Sequence, residues 1–252
     1  MLALKQIARQ VCPPILWDAL RAAAGHRSPR AQPRTADAPP EADYVQRLGT
    51  SPDHQDLDLY WDDEYAKTLD TWGEGNTWHE IPFLIANCSG NVLDIACGTG
   101  ITMEKLAFIP QVTLYGCDIS DLLIQKAIDR GLPPERLKVL DATSTDYADN
   151  FFNHAYSIGS LEHFTEEGLR LAIAECHRVT RFSAFHLMPV SRSGRDEGWL
   201  KTIQSFHNNS TDWWLRMLRT SYESVYTIDS LWQDEISVGK WFICEKMPQR
   251  PG

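Results

Sequence analysis

Asp94 stands four residues ahead of Gly98 and six ahead of Gly100, inside NVLDIACGTGITMEKL (91–106), a run that reads as a buried strand, a glycine turn and the start of a helix. Glycines at such a turn let the backbone approach a ligand closely. A dinucleotide turn needs GxGxxG, with a third glycine for close helix packing and the helix N-terminus facing a pyrophosphate. Here Met103 occupies the third position. A carboxylate just before the turn also suits a positively charged ligand better than a pyrophosphate.

Two later acids extend the pattern. Asp118 ends a second strand-like run about 20 residues beyond Gly98, where a carboxylate can accept hydrogen bonds from both hydroxyls of a ribose. Asp141 and Ala142 end a third run, where an acid or a backbone N–H can read an adenine edge. The competing readings are an Asx-turn for Asp118 and a surface turn for Asp141. Taken together, three acids in step with the glycine turn favour S-adenosylmethionine, which carries an ammonium and a sulfonium but no phosphate.

Methyl transfer from a sulfonium needs mostly positioning, and a hydroxyl acceptor also needs a destination for its proton. In GSLEHF (159–164), Glu162 and His163 follow a fourth strand-like run. An imidazole is a sensible general base at neutral pH, so His163 is the first choice, with Glu162 as an orienting group. Alternatively, His163 only packs or bonds the backbone. His186, in FHLMPV, either reaches the acceptor or is an inward core histidine. The segment WGEGNTWHE (72–80) offers Trp72, Asn76 and Trp78 as a lid whose aromatic faces exclude water, or else its tryptophans cover the sheet edge. In SRSGRDEGW (191–199), Arg192 and Arg195 can grip an acidic group, or lie on a solvated loop.

These residues need a scaffold that brings strand ends together. From residue 91, strand-like runs (NVLDIAC, VTLYGCDI, LKVLDAT, HAYSIGS, FSAFHLMPV) alternate with helical ones (ITMEKLAFI, DLLIQKAIDRG, TEEGLRLAIAECHRVTR). Thr165 is placed to cap the last helix, with Glu166 and Glu167 in its first turn. A helix near 210–220 and a closing hairpin, SVYTIDSLW and SVGKWFICEK, complete the chain. Such alternation predicts an α/β fold with a mostly parallel sheet and ligands beyond the carboxyl ends of its strands.

VLDIACGTG, VTLYGCDIS, VLDAT and YSIGSLEHF together resemble the class I S-adenosylmethionine-dependent methyltransferases over roughly residues 75–190. The resemblance implies a Rossmann-like, seven-stranded sheet whose last strand runs antiparallel. It places Asp94, Gly98 and Gly100 at the methionine end, Asp118 at the ribose, and Asp141 with Ala142 beside adenine. Ala96, Ile119 and Ser160 flank those positions and join the cofactor set. Cys97 sits where the family has a small residue, which implies a backbone contact rather than a reactive thiol. The basic N-terminus, YWDDEYAKTLDTWGEGNTWHEI and SLEHF are similar to methyltransferases of bacterial surface-polysaccharide and lipid-linked glycan assembly.

Composition limits the remaining choices. The 252 residues, 43% hydrophobic, suffice for one main domain, assigned to 44–252 after a separate segment at 1–43. Residues 1–34 hold six basic residues against Asp18 alone, a net of +5, so the rest of the chain carries −15 of the total −10. Leu4, Ile7 and Val11 share a helical face, and Trp17 can act as an interfacial anchor. This basic amphipathic segment either docks on an anionic leaflet or packs on protein. The linker at 25–43 is rich in Pro, Ala and charge. The acidic balance argues against a nucleic-acid partner. Six scattered cysteines offer neither a disulfide framework nor a metal site. The expectation is a cytoplasmic enzyme, peripheral to the membrane, that O-methylates a sugar of a surface glycan or its lipid-linked precursor. The alternatives are a methyltransferase of a soluble quinone-like or other small metabolite, and a non-catalytic cofactor-binding protein.

Overall fold

The computed structural model describes residues 45–49 and 55–246. The basic segment 1–34, the linker up to residue 43 and Cys12 lie outside the described residues.

A seven-stranded sheet dominates. Its strands are β2 (Gly90–Ile95), β3 (Val112–Asp118), β4 (Leu137–Val139), β5 (Phe152–Ile158), β6 (Thr180–Ser191), β9 (Ser224–Gln233) and β10 (Ser237–Glu245), in spatial order β4-β3-β2-β5-β6-β10-β9. The pairs among β2 to β6 are parallel, and β10 is antiparallel to both neighbours. This is the Rossmann-like arrangement that the motifs imply. The chain runs outward from β2 to β4 and then returns to the other side of β2 as β5. That reversal leaves a crevice beyond the carboxyl ends of β2 and β5.

Alternation along the strands divides the core between two faces. Val92 and Trp241 pack on one side with Ile81, Ile85, Met103 and Leu106, whereas Leu93 and Phe242 pack on the other with Phe152, Leu169, Ile173 and Trp214. Among the described residues six α-helices accompany the strands: α1 (Asp63–Leu69), α2 (Thr77–Ile85), α3 (Ile101–Leu106), α4 (Asp121–Asp129), α5 (Glu166–Val179) and α6 (Thr211–Leu218). In α5, Leu169, Ala172, Ile173 and Cys176 form the buried stripe of an amphipathic helix. Thr165 caps it by accepting the Gly168 N–H at 3.1 Å, as its sequence position predicts. None of the described helices is long and apolar enough to cross a membrane.

A second, three-stranded antiparallel sheet has no counterpart in the sequence reading. It joins β1 (Gln46–Gly49), β7 (Trp199–Lys201) and β8 (Ser205–His207) in the order β1-β7-β8. Strands this short carry too few residues for a period-two pattern. The β7–β8 segment follows β6 and contributes to the mouth of the crevice.

Candidate active site

The glycine turn and the end of β3 are built as one unit. Ala96, Gly98 and Gly100 all have positive φ, at 55°, 55° and 74°. The Gly98 N–H donates to Asp118 Oδ2 at 2.9 Å, the Ser120 N–H donates to Asp118 Oδ1 at 3.0 Å, and the Cys97 N–H donates to the Cys117 carbonyl at 2.9 Å. Burial raises the Asp118 carboxyl, and these backbone donors oppose the shift. A Cβ on Gly100 would lie 2.3 Å from Leu132 Cδ1 and 3.0 Å from the Ala127 Cβ, so this position demands glycine for space as well as for φ. Ala96 adopts the left-handed region without that freedom, a cost of roughly 1 kcal/mol located at the ligand mouth.

Met103, where a dinucleotide turn has its third glycine, is accommodated from the opposite side. A Cβ on Gly116 would come within 2.8 Å of both Met103 Sδ and Cys97 Sγ. The close approach of helix to sheet is therefore conferred by a strand glycine. Cys97 is buried and burial pushes its thiol well up, consistent with a packing role for the side chain. Asp94, 3% exposed, accepts the Tyr156 hydroxyl at 2.9 Å from the neighbouring strand, and burial raises its carboxyl well above the usual range. Asp141 accepts both the N–H and the hydroxyl of Thr143, at 2.8 and 2.7 Å, so it forms an Asx-type turn while still lining the crevice.

His163 and Glu162 lie in a short 3-10 turn, Leu161–His163, after β5. His163 Nδ1 is 2.8 Å from the Ser205 carbonyl of β8. A carbonyl can only accept, so Nδ1 carries the proton and Nε2 presents a lone pair. Burial lowers this imidazole to about 4, which keeps it neutral at physiological pH. Its Nε2 is 3.9 Å from Glu162 Oε1. The Glu162 side chain is 7% exposed, its Oε2 is buried without a hydrogen-bond partner, and burial pushes its carboxyl up to about 8.

Asp94, Ala96, Cys97, Gly98, Asp118, Ile119, Asp141, Ala142, Ser160, Glu162 and His163 line a single cleft of about 410 Å³. Gly100 is not in its wall and instead shapes the turn from behind. Of the expected acceptor residues, Trp72 and Trp78 reach the cleft, and Trp72 packs on Trp232 with centroids 5.7 Å apart. Asn76 stands outside the wall because its side chain accepts the Thr77 N–H and caps α2. His186 is fully buried, with Nδ1 2.8 Å from Ser157 Oγ, and is the core histidine of the two alternatives. Arg195 is 76% exposed and paired with Glu197 at 3.9 Å, and Arg192 bonds Gln233 and the Asp234 carbonyl; neither lines the cleft.

The sequence reading did not find the Tyr60–Gln204–Tyr65 group. The Gln204 amide donates to the Tyr60 hydroxyl and its carbonyl accepts from Tyr65 at 3.0 Å. Burial raises both phenols, Tyr65 to about 12. Only tertiary structure joins residues more than 130 positions apart, and an isolated glutamine carries no motif. Gln55, Phe206, Ile203 and Trp232 complete this half of the wall.

Among the described residues no lysine or arginine lines the cleft, whereas Asp94, Asp118, Asp141, Glu162 and Asp234 do. That donor set fits a cationic, phosphate-free cofactor and is unsuited to a pyrophosphate. Residues 92–182 match a family model described as a methyltransferase domain. The chain is 35% identical over 122 residues to a tRNA (carboxymethyluridine(34)-5-O)-methyltransferase of Arabidopsis thaliana, covering 48% of this chain and 29% of that protein. It is 30% identical over 129 residues to an O-methyltransferase of Penicillium expansum, covering 48% of this chain and 46% of that protein. The chain thus spans less than half the length of these two relatives. Its fold is similar to that of Burkholderia thailandensis 1,6-didemethyltoxoflavin-N1-methyltransferase, solved with S-adenosylhomocysteine, at TM-score 0.59 and 14% identity over 73% of this chain and 84% of that one. The described domain has the Rossmann-like methyltransferase fold, and its cofactor is S-adenosylmethionine.

Proposed function

We propose that the chain is a methyltransferase that methylates a hydroxyl oxygen of a small acceptor, with His163 as the general base. The observation that carries this reading is the His163 Nδ1 contact to the Ser205 carbonyl, which leaves an unprotonated Nε2 in the same cleft as the cofactor residues. When bound, S-adenosylmethionine supplies a methyl group already activated on a sulfonium sulfur. Asp118 would accept from the ribose hydroxyls with the oxygens that the turn holds in place, and Asp94, whose carboxyl burial raises, would be drawn to its ionised form by the cationic methionine end. Tyr60, Tyr65, Trp72 and Phe206 exclude water and orient the acceptor. His163 Nε2 receives the hydroxyl proton as the oxygen–carbon bond forms. Its burial makes it a weak base but keeps it free of protons, so the activated methyl group supplies the driving force.

A sugar hydroxyl of a surface glycan or lipid-linked precursor is the acceptor that the SLEHF and tryptophan-rich motifs favour. Residues 1–34 would dock that enzyme on an anionic leaflet. Aromatic walls suit a sugar face and a planar ring alike, and the similarity to an O-methyltransferase of Penicillium expansum favours a soluble metabolite as the second reading. The experiment is a thermal shift with S-adenosylhomocysteine and with NADH. Stabilisation by S-adenosylhomocysteine is expected, and stabilisation by NADH alone would overturn the assignment. Liposome flotation of the full chain and of a chain lacking residues 1–34 tests the docking, which equal recovery would exclude.

A further inference from the structure

Glu162 is a buried carboxyl whose Oε2 has no hydrogen-bond partner and whose burial is opposed only by its own backbone N–H. Beside it, Trp72, Trp232, Leu187, Met188 and Pro189 form an apolar pocket wall. The titratable groups that act on it are His163, held neutral, and the phenols of Tyr60 and Tyr65; the carboxyls of Asp94, Asp118 and Asp141 line the same cleft. Asp234 lines the same cleft. Among the described residues no lysine or arginine lines the cleft to compensate an ionised Glu162. A buried carboxylate without a cation or a full set of donors is costly, and the neutral acid is the form that these surroundings tolerate. A neutral acid has one O–H to donate; Glu162 lines the cleft, and its Oε2 is buried without a hydrogen-bond partner. Next to it, His163 Nε2 is a pure acceptor 3.9 Å from Oε1. The Glu162 carboxyl, which donates from whichever oxygen holds the proton, and the His163 Nε2, which accepts, therefore stand side by side, 3.9 Å apart at Oε1, a spacing that two oxygens on adjacent carbons can bridge.

We propose that the acceptor presents to this site an uncharged group with two adjacent oxygens, one methylated as His163 takes its proton and the other held by a hydrogen bond from the Glu162 carboxyl. This rests on the methyltransferase reading and deepens it. The oxygen–methyl bond forms as the sulfur–methyl bond breaks, the electron pair stays on sulfur, and the hydroxyl proton moves to His163 Nε2; Glu162 donates a hydrogen bond and transfers nothing. Acceptors bearing a carboxylate or phosphate at this position meet four other acidic side chains, Asp94, Asp118, Asp141 and Asp234, and no cation among the described residues, so they are rejected.

The test uses the full chain saturated with S-adenosylhomocysteine, whose own binding, measured first by calorimetry, tests the methyltransferase reading separately. Four probes are then titrated into that complex: methyl protocatechuate and methyl glucoside, uncharged with adjacent oxygens on an aromatic and a sugar ring; protocatechuate, which adds a carboxylate; and methylparaben, which has a single hydroxyl. The expected result is that one of the first two binds about tenfold or more tightly than both controls, and which of the two it is identifies the ring type. That preference should persist in Glu162→Gln, which keeps a neutral donor, and disappear in Glu162→Ala. Equal or tighter binding of protocatechuate, or no binding of either uncharged probe while S-adenosylhomocysteine binds, overturns the acceptor class and leaves the methyltransferase reading intact. An infrared difference spectrum of wild type against Glu162→Gln near pH 6.5 needs no acceptor and should contain a protonated-carboxyl band. Its absence from the folded protein also overturns the proposal.

Discussion

Replacing Glu162 by Gln should convert a pH-dependent liability into a pH-independent one. The carboxyl titrates at about 8 in the folded chain against 4.5 for an ordinary glutamate, because burial disfavours its charged form. The folded state therefore holds this proton more tightly than the unfolded state does, and stability falls as pH rises from 4.5 through 8. Each unit in that window costs about 1.4 kcal/mol, so the penalty is about 3 kcal/mol at pH 7 and roughly 5 kcal/mol once ionisation is complete. Glutamine cannot ionise. Urea unfolding of both proteins at pH 5, 7 and 8 should show the difference in stability shifting in favour of Glu162→Gln by about 3–4 kcal/mol across the series. The constant offset between the two proteins reports packing and hydrogen bonding; the slope reports the proton. Parallel curves, with a difference constant to within about 1 kcal/mol, would show that Glu162 ionises in the folded state at its ordinary pH and would refute the burial argument.

Three further outcomes follow from the site. His163→Gln should leave S-adenosylhomocysteine affinity within about twofold and lower methyl transfer by on the order of 10²–10⁴, measured with labelled cofactor on the identified acceptor; in the wild type the rate should fall on acidification toward pH 4, as the imidazole protonates, and above about pH 8, as Glu162 ionises. Asp118→Ala should weaken S-adenosylhomocysteine binding by about tenfold or more in calorimetry, since it removes the carboxylate proposed to accept from the ribose and frees the Gly98 and Ser120 N–H groups. Gly116→Ala should cost about 1–3 kcal/mol, because the new methyl meets Met103 Sδ and Cys97 Sγ at 2.8 Å, and combining it with Met103→Ala should cost less than the sum of the two.

The cofactor half of the cleft was legible in the sequence because its parts are local. Asp94, Gly98 and Gly100 lie within one strand–turn–helix, Asp118 ends β3, Asp141 lies two residues past β4, and regular βα alternation fixes that all such ends meet along one edge. The Thr165 cap and the succession of strands and helices along the chain followed from capping chemistry and periodicity in the same way, whereas the order of strands within the sheet is set by tertiary packing. The acceptor half was only half legible. His163 and Glu162 stood out because they follow a strand end directly, but their chemical states come from Ser205 and an apolar wall supplied by distant segments. His186, Asn76 and Arg195 have the same residue types as functional groups, yet a core position, a helix cap and an exposed ion pair hold them outside the cleft.

By itself, then, the sequence determined the sheet, the turn and the charge that the cofactor meets, because these depend on neighbours within a few residues. Tertiary structure alone decided which side chains face the acceptor and which of them carry protons. Burial and hydrogen-bond partners set a proton's free energy, and for Glu162, His163 and the Tyr60–Gln204–Tyr65 group those surroundings come from segments as far as 144 residues away.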